Sequence, residues 1–410
     1  MRAALAAVAV AALGVAAPAT AGRPTCALLR PPPLEASFDH ASYRPGEVAV
    51  LDVHARAPEI DVQILRSAPE VSPVDRPDLV DGVPIGPARS YVWGPDEHEV
   101  WIGLGSSWPS GVYFARVQEP DGRLAFAPFV LRPRALGATR AAVVVPTYTW
   151  QAYNFRGLGS WYTCGRVRSV DLGRPYLHRG LPPHFRAYDL PFIQWLTFTH
   201  KDVDYLADHD LGAVASGARL RTLYDLVVFE GHEEYVTQHV YDIVERYRDL
   251  GGNLMFLSAN SFFRHVQIHR RRMALIGLWR DEGRPEAALV GAEYVGGNPR
   301  YRNKPYRITR ANRVPWLFAG TGLGNGDPIR GAFGIEIDAR TRSSPPQTVV
   351  VARIPNEFGR GGTAEMTYYE TARGAKVFAA GTLAFGGSAE IEPVATILEN
   401  LWARLVGEAG

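Results

Sequence analysis

Two cysteines in 410 residues exclude a disulfide framework, because a stapled scaffold needs several paired thiols in a short chain. The sequence offers at most a single bridge, Cys26 to Cys164. Beyond the N-terminal segment no apolar run reaches the roughly 18 residues a spanning helix needs, so no integral membrane span is expected in the mature chain. Charge of either sign is not in excess: 44 Lys+Arg against 42 Asp+Glu give a formal +2. No global field gathers phosphates, and nucleic acid is not an expected partner. Several catalytic signatures are missing as well. There is no Gly-x-Ser-x-Gly elbow, no Cys-x-x-Cys, no phosphate-binding P-loop and no His-Glu-x-x-His, since position 236 is Val. Gly320-Thr321-Gly322-Leu323-Gly324 misses the dinucleotide spacing and reads as a turn.

What is present begins with Met1-Arg2, an Ala/Val/Leu run and Ala19-Thr20-Ala21, the pattern of a cleaved export signal over residues 1–21. A secreted or periplasmic protein starting near Gly22 is expected. From 22 to 135 the chain alternates with period two in Ile60/Val62/Ile64, Val100/Ile102/Leu104 and Tyr113/Ala115/Val117. Arg44-Pro45-Gly46, Pro109-Ser110-Gly111 and Pro120-Asp121-Gly122 supply the turns. This spacing predicts an immunoglobulin-like β-sandwich of about seven strands.

At Ala141-Ala142-Val143-Val144-Val145 the pattern changes to a continuous apolar run, as in a strand buried on both faces of a parallel sheet. Tyr224 to Phe229 and Asn253 to Leu257 repeat it, with a helical stripe of Val236, Val240, Ile243, Val244 and Tyr247 between them. The region 136–410 therefore reads as an α/β domain with an open, mostly parallel, doubly wound sheet. Pro299 to Gln347 has little periodicity and reads as an irregular excursion. The basic run His269-Arg270-Arg271-Arg272 follows a helix-like segment and reads as a solvated face.

Ligands in such sheets bind beyond the strand C-termini. Tyr153 and Asn154 follow the first buried strand, His232 and Glu234 the second, and Asn260 the third. Alone, His232 reads as a hydrogen-bonded structural histidine and Glu234 as a carboxylate in the first turn of a helix, favoured by its dipole. Together on one rim they read as a site.

Three stretches, Pro146 to Asn154, Tyr188 to Leu196, and Gly231-His232-Glu233-Glu234-Tyr235, closely resemble the C-terminal region of the large subunit of N,N-dimethylformamidase. Ala319 to Asp327, Tyr369-Glu370-Thr371 and Val377 to Gly381 are similar more loosely. The resemblance implies a flavodoxin-like fold related to glutamine amidotransferases, with Asn260 near the position of their nucleophilic cysteine. It also implies a mononuclear ferric iron (Fe3+) held by two tyrosines and a glutamate, which match Tyr153, Tyr113 and Glu234, with Tyr148 as the alternative second tyrosine. His232, Asn260 and Glu370 match the supporting and acid/base positions. A small amide is the implied substrate. A homo-oligomer is compatible with the chain, and a small partner subunit is not evident from it. A non-enzymatic exported ligand-binding protein and a hydrolase of another bond are the alternatives.

Overall fold

Apolar residues at every second position, separated by turns, build the N-terminal part. The computed structural model describes residues 32–406 apart from 73, 75, 95–96, 157–158, 163–166, 303 and 360. The expected signal at 1–21 lies outside the described residues, as do Cys26, Cys164 and their pairing. Nine strands come first: β1 Glu35–Phe38, β2 Ser42–Tyr43, β3 Val48–His54, β4 Glu59–Arg66, β5 Val83–Pro84, β6 Arg89–Val92, β7 Glu99–Gly103, β8 Gly111–Gln118 and β9 Leu124–Leu131. They form one sheet ordered β1-β3-β7 and another ordered β2-β9-β8-β4-β5, with β6 against β4. Ile60, Val62 and Ile64 of β4 meet Val100 and Ile102 of β7 in one core shared by both sheets.

β8 and β9 are buried on both faces. Tyr113, Ala115 and Val117 turn into the core between the two sheets. Val112, Phe114, Phe126 and Val130 turn the other way, into the largest core of the molecule, which they share with residues beyond 140. The two parts of the chain are therefore joined by packing. Polar ties reinforce the seam, with Phe126 N–H donating to the Arg179 carbonyl (2.6 Å) and Arg156 paired to Glu35 (2.8 Å).

The remaining elements are β10 Ala141–Val145, α1 Thr147–Ala152, β11 Ser169–Asp171, α2 Phe185–Tyr188, α3 Leu190–Phe198, β12 Asp204–Ala207, α4 Asp208–Gly212, α5 Gly217–Leu223 and β13 Leu226–Phe229. After them come β14 Tyr235–Thr237, α6 Gln238–Asp249, β15 Asn253–Phe256, β16 Arg264–His269, β17 Arg272–Leu278, α7 Ala287–Val290 and β18 Glu293–Arg302. The chain continues through β19 Tyr306–Ile308, β20 Pro328–Ile329, β21 Gly334–Ala339, β22 Val349–Ile354, β23 Ala364–Glu370, β24 Lys376–Ala379 and α8 Val394–Val406. The main sheet is ordered β12-β10-β13-β15-β24-β23-β22-β19-β20. Its first five strands run parallel. Val143 and Val145 of β10 join α3 and α8 on one face, while Ala142 and Val144 join α6 on the other. Both faces are covered by apolar layers, which is why this strand reads as an unbroken apolar run.

Four expectations need correction. The last four strands of the main sheet are antiparallel, and the stretch 299–347 is not simply an excursion. It supplies β19, β20 and β21, and β18 begins just before it. Bulges between Tyr294 and Gly296 and between Asn298 and Arg302 break the alternation that marks a strand. The basic run caps the β16–β17 hairpin rather than following a helix. Finally, Glu234 is not in a helix first turn. Residues 230–234 form a loop after β13, then β14 intervenes before α6. Among the described residues no helix is long and apolar enough to cross a membrane.

Candidate functional site

The C-terminal ends of β10, β13 and β15 lie side by side, so the segments leaving these strands meet in one crevice. α1 turns the chain after β10 and ends at Tyr153, whose hydroxyl donates to Glu234 Oε2 at 2.7 Å. The loop after β13 is held close: a Cβ on Gly231 would fall 2.1 Å from Asp189 Oδ1, so only glycine fits there. That loop brings His232 and Glu234 inward. Thr149 Oγ1 accepts the Glu234 N–H at 3.1 Å, and Arg264 Nε donates to Glu234 Oε1 at 3.2 Å. His232 Nε2 lies 3.4 Å from Glu234 Oε2 and 3.5 Å from Glu336 Oε2, yet makes no hydrogen bond among the described residues.

Asn260 follows β15 with a left-handed backbone (φ 57°). Its N–H donates to Asp338 Oδ1 (2.8 Å) and its Nδ2 to Glu336 Oε2 (2.9 Å), while its Oδ1 has no partner among the described residues. Glu336 and Asp338 come from β21. Ile335, just before them, is also left-handed (φ 69°), a conformation a β-branched residue adopts only under constraint. Strain of this kind gathers where the surrounding fold must aim a side chain. The structure thus brings Tyr153, Glu234, His232 and Asn260 together and adds Glu336 and Asp338, which the sequence reading missed. The signal was present in Gly334-Ile335-Glu336-Ile337-Asp338, a short alternation inside a stretch that otherwise has little periodicity.

Burial sets the electrostatics. It pushes Glu336 up to about 8, with the Glu234 carboxylate adding to the shift, and Asp338 likewise up to about 8. Burial also raises Glu234, opposed by Arg264, and drives His232 down to about 3, so the imidazole is neutral. Tyr153 is held well above the ordinary phenol range by burial and the Glu234 charge. Two carboxylates flanking a neutral imidazole in a buried crevice share protons as a unit.

Two assigned residues lie elsewhere. Tyr113 packs in the core between the two N-terminal sheets and donates its hydroxyl to the Pro109 carbonyl at 2.8 Å. It is not among the side chains that touch Tyr153 or Glu234, because the alternation of β8 turns it away from the crevice. Glu370 pairs in register with Lys376 at the start of β24, the end of the parallel strands opposite the crevice. There it binds Arg404 at 3.0 Å and is exposed. Tyr148 packs in the same cluster as Tyr153, but the charges that act on it are Asp208, Glu233 and Asp210 rather than Glu234. Tyr162 is better placed, stacked on Tyr153 with ring centroids 4.8 Å apart and feeling the Glu234 charge.

Hard oxygen donors suit a ferric ion, and Tyr153 with Glu234 provides two of them in contact. Among the described residues no three His, Cys, Asp or Glu side chains are grouped to hold a metal.

The family described as N,N-dimethylformamidase beta subunit-like, C-terminal, matches residues 97–396, and the chain belongs to it. The N,N-dimethylformamidase beta subunits of Alcaligenes sp and Paracoccus aminophilus are each 25% identical to it, over 57% of this chain and 38% of theirs. The chain thus spans well under half the length of those relatives. Among solved structures, an mmIFT52 N-terminal domain superposes with a TM-score of 0.31 at 10% identity, covering 52% of this chain and 89% of that one, too low a score to carry an argument.

Proposed function

We propose that this chain hydrolyses the C–N bond of a small amide, as the names of its relatives suggest for them. The observation that carries the proposal is the convergence of Tyr153, Glu234, His232, Asn260 and Glu336 in one buried crevice. Tyr153 and Glu234 would hold a ferric ion, with Tyr162 a better-placed second tyrosine than Tyr113. Such an ion supplies a Lewis acid for the amide carbonyl. The remaining chemistry belongs to the side chains. Glu336, oriented by Asn260 Nδ2, accepts a proton from the attacking water and returns it to the departing nitrogen as the C–N bond breaks. Neutral His232 lies between the two carboxylates and keeps bulk water out of the gap. Arg264 fixes the far oxygen of Glu234.

The test is amine release from a panel of formamides, acetamides and lactams, alongside iron content and a phenolate-to-iron absorption band in the visible. Release abolished in Glu336→Gln supports the reading. Protein that binds the amides without releasing amine would instead be a ligand-binding protein, and iron-free, colourless protein after incubation with iron would sink the metal assignment.

Three further readings belong to this proposal. Residues 22–135 form an immunoglobulin-like unit and 136–410 a flavodoxin-like, glutamine amidotransferase-like one. Residues 1–21 direct export, which a mature N-terminus at Gly22 would verify. Identical copies assemble, which light scattering would test.

A further inference from the structure

Most polar groups of the crevice are spent on one another. Tyr153 and Arg264 donate to Glu234, and Asn260 Nδ2 donates to Glu336. Two groups remain unengaged among the described residues. One is Asn260 Oδ1, an acceptor on a side chain only 3% exposed. The nitrogen of this amide faces the acids, since Glu234 as well as Glu336 takes a hydrogen bond from Asn260. The other is the hydroxyl of Tyr294, a half-buried residue of β18. The Tyr294 carbonyl accepts from Arg280 at 3.0 Å, whereas its hydroxyl makes no hydrogen bond among the described residues.

β18 pairs with β21, placing Tyr294 opposite Asp338 and Gly297 opposite Glu336. Directly opposed residues of an antiparallel pair share a face, so Tyr294 stands on the face that carries both acids. A Cβ on Gly297 would lie 3.0 Å from Glu336 Cγ and 3.1 Å from the Tyr294 hydroxyl. The bare glycine therefore seats the hydroxyl and the Glu336 stem against the same spot of the strand. The Tyr294 ring packs on Phe263 with centroids 5.2 Å apart. Phe263 in turn carries the guanidinium groups of Arg264 (5.0 Å) and Arg280 (4.9 Å). Packing thus holds the ring and leaves its hydroxyl free. Burial, with the charges of Glu336 and Glu234, keeps the phenol above its ordinary range, so the hydroxyl stays a donor at neutral pH.

An unspent donor and an unspent acceptor beside Glu336 form a matched pair. A carbonyl oxygen satisfies the first and an N–H the second, and an amide offers both when its nitrogen keeps a hydrogen. We propose that the crevice selects primary and N-monosubstituted amides, the Tyr294 hydroxyl donating to the acyl oxygen and Asn260 Oδ1 accepting the amide N–H. This selection rests on the hydrolytic reading for its place in a reaction, but the binding it requires can be measured alone. An N,N-disubstituted amide strands Asn260 Oδ1 without a donor, and a site discriminates strongly when its own buried group is left unpaired. Bound in this way, the departing nitrogen lies next to Glu336, the group that returns a proton to it.

N-methylacetamide, N,N-dimethylacetamide and methyl acetate are the probes, titrated calorimetrically into the full chain carrying Glu336→Gln, so that turnover does not disturb the heats. Methyl acetate keeps the shape of N-methylacetamide but has no N–H. Both probes without N–H should bind roughly tenfold or more weakly than N-methylacetamide, the penalty of a buried acceptor left without a partner. Adding Tyr294→Phe should weaken N-methylacetamide by up to about tenfold, the value of one neutral hydrogen bond. Gly297→Ala, which displaces the hydroxyl, should act by a similar factor, with melting temperatures verifying that each variant folds. Equal affinity for the three probes, no saturable binding of N-methylacetamide, or unchanged affinity in Tyr294→Phe overturns the proposal. Amine release by the parent is scored separately: its absence with the binding pattern intact fails the hydrolase reading and leaves the selection standing.

Discussion

The two ends of the main sheet carry carboxylates in opposite states. At the C-terminal end of the parallel strands, Glu234 and Glu336 are almost wholly buried, share one imidazole and are held by strained backbone at Asn260 and Ile335. At the other end, Glu370 lies in water, held below the ordinary carboxylate range by Tyr368 and Arg404 despite partial desolvation. An exposed acid whose partners keep it charged is a surface ion pair. A buried acid pushed up to about 8, beside an imidazole nitrogen that makes no hydrogen bond among the described residues, is poised to exchange protons.

The contrast is broken most sharply by kinetics. Glu336→Gln should lower the rate of amide hydrolysis by about 10²- to 10⁴-fold, the usual contribution of a positioned acid/base. Its melting temperature should stay near that of the parent, because the amide oxygen still accepts from Asn260. Glu370→Gln should change the rate negligibly. Equal losses in both variants would erase the distinction between the two ends. Glu234→Ala tests the same end by stability. It strands Arg264 and removes the acceptor of Tyr153, and breaking a buried pair costs about 3 kcal/mol. A denaturant midpoint unchanged from the parent would mean that Arg264 finds water instead.

Behind the crevice a further pair, Asp189 and Glu230, is fully buried, and three of its four carboxyl oxygens lack a hydrogen-bond partner among the described residues. Burial raises both acids well above the ordinary range, and Asp189 adds to the shift of Glu230. The folded state therefore binds protons more tightly than the unfolded chain. This contribution is complete below the unfolded values of roughly 4 and is lost as pH rises through the folded ones. Urea midpoints should fall as pH rises above the unfolded values of roughly 4, and Asp189→Asn, which keeps the shape without the charge, should flatten that fall. A difference between parent and Asp189→Asn that does not change with pH would show that the pair is solvated.

Much of this was legible because burial leaves marks in sequence. The run Ala141 to Val145 announced a strand covered on both faces, and residues placed after such strands were bound to meet on one rim. Glu336 and Asp338 were hidden for two reasons. Their strand pairs with β18 through bulges that disrupt the period-two signal, and acids alternating with isoleucines look the same whether they face water or a crevice. The order of motifs along the chain also cannot tell which face of a doubly buried strand a residue occupies, and that question decides the fate of Tyr113.

Tyr113 supplies the smallest expected effect and the cleanest comparison with Tyr153. Both are buried tyrosines whose hydroxyls donate one hydrogen bond, to a backbone carbonyl in one case and to the Glu234 carboxylate in the other. Tyr113→Phe removes a single neutral hydrogen bond and should cost about 1 kcal/mol in stability, with amine release and any bound iron unchanged. Tyr153→Phe leaves the ring packed against Tyr162 but removes the oxygen beside Glu234, so activity and metal content should both fall. If the Tyr113 variant loses iron while the Tyr153 variant keeps it, the ligand assignment is reversed, and β8 must then reach the crevice in a conformation other than the one described.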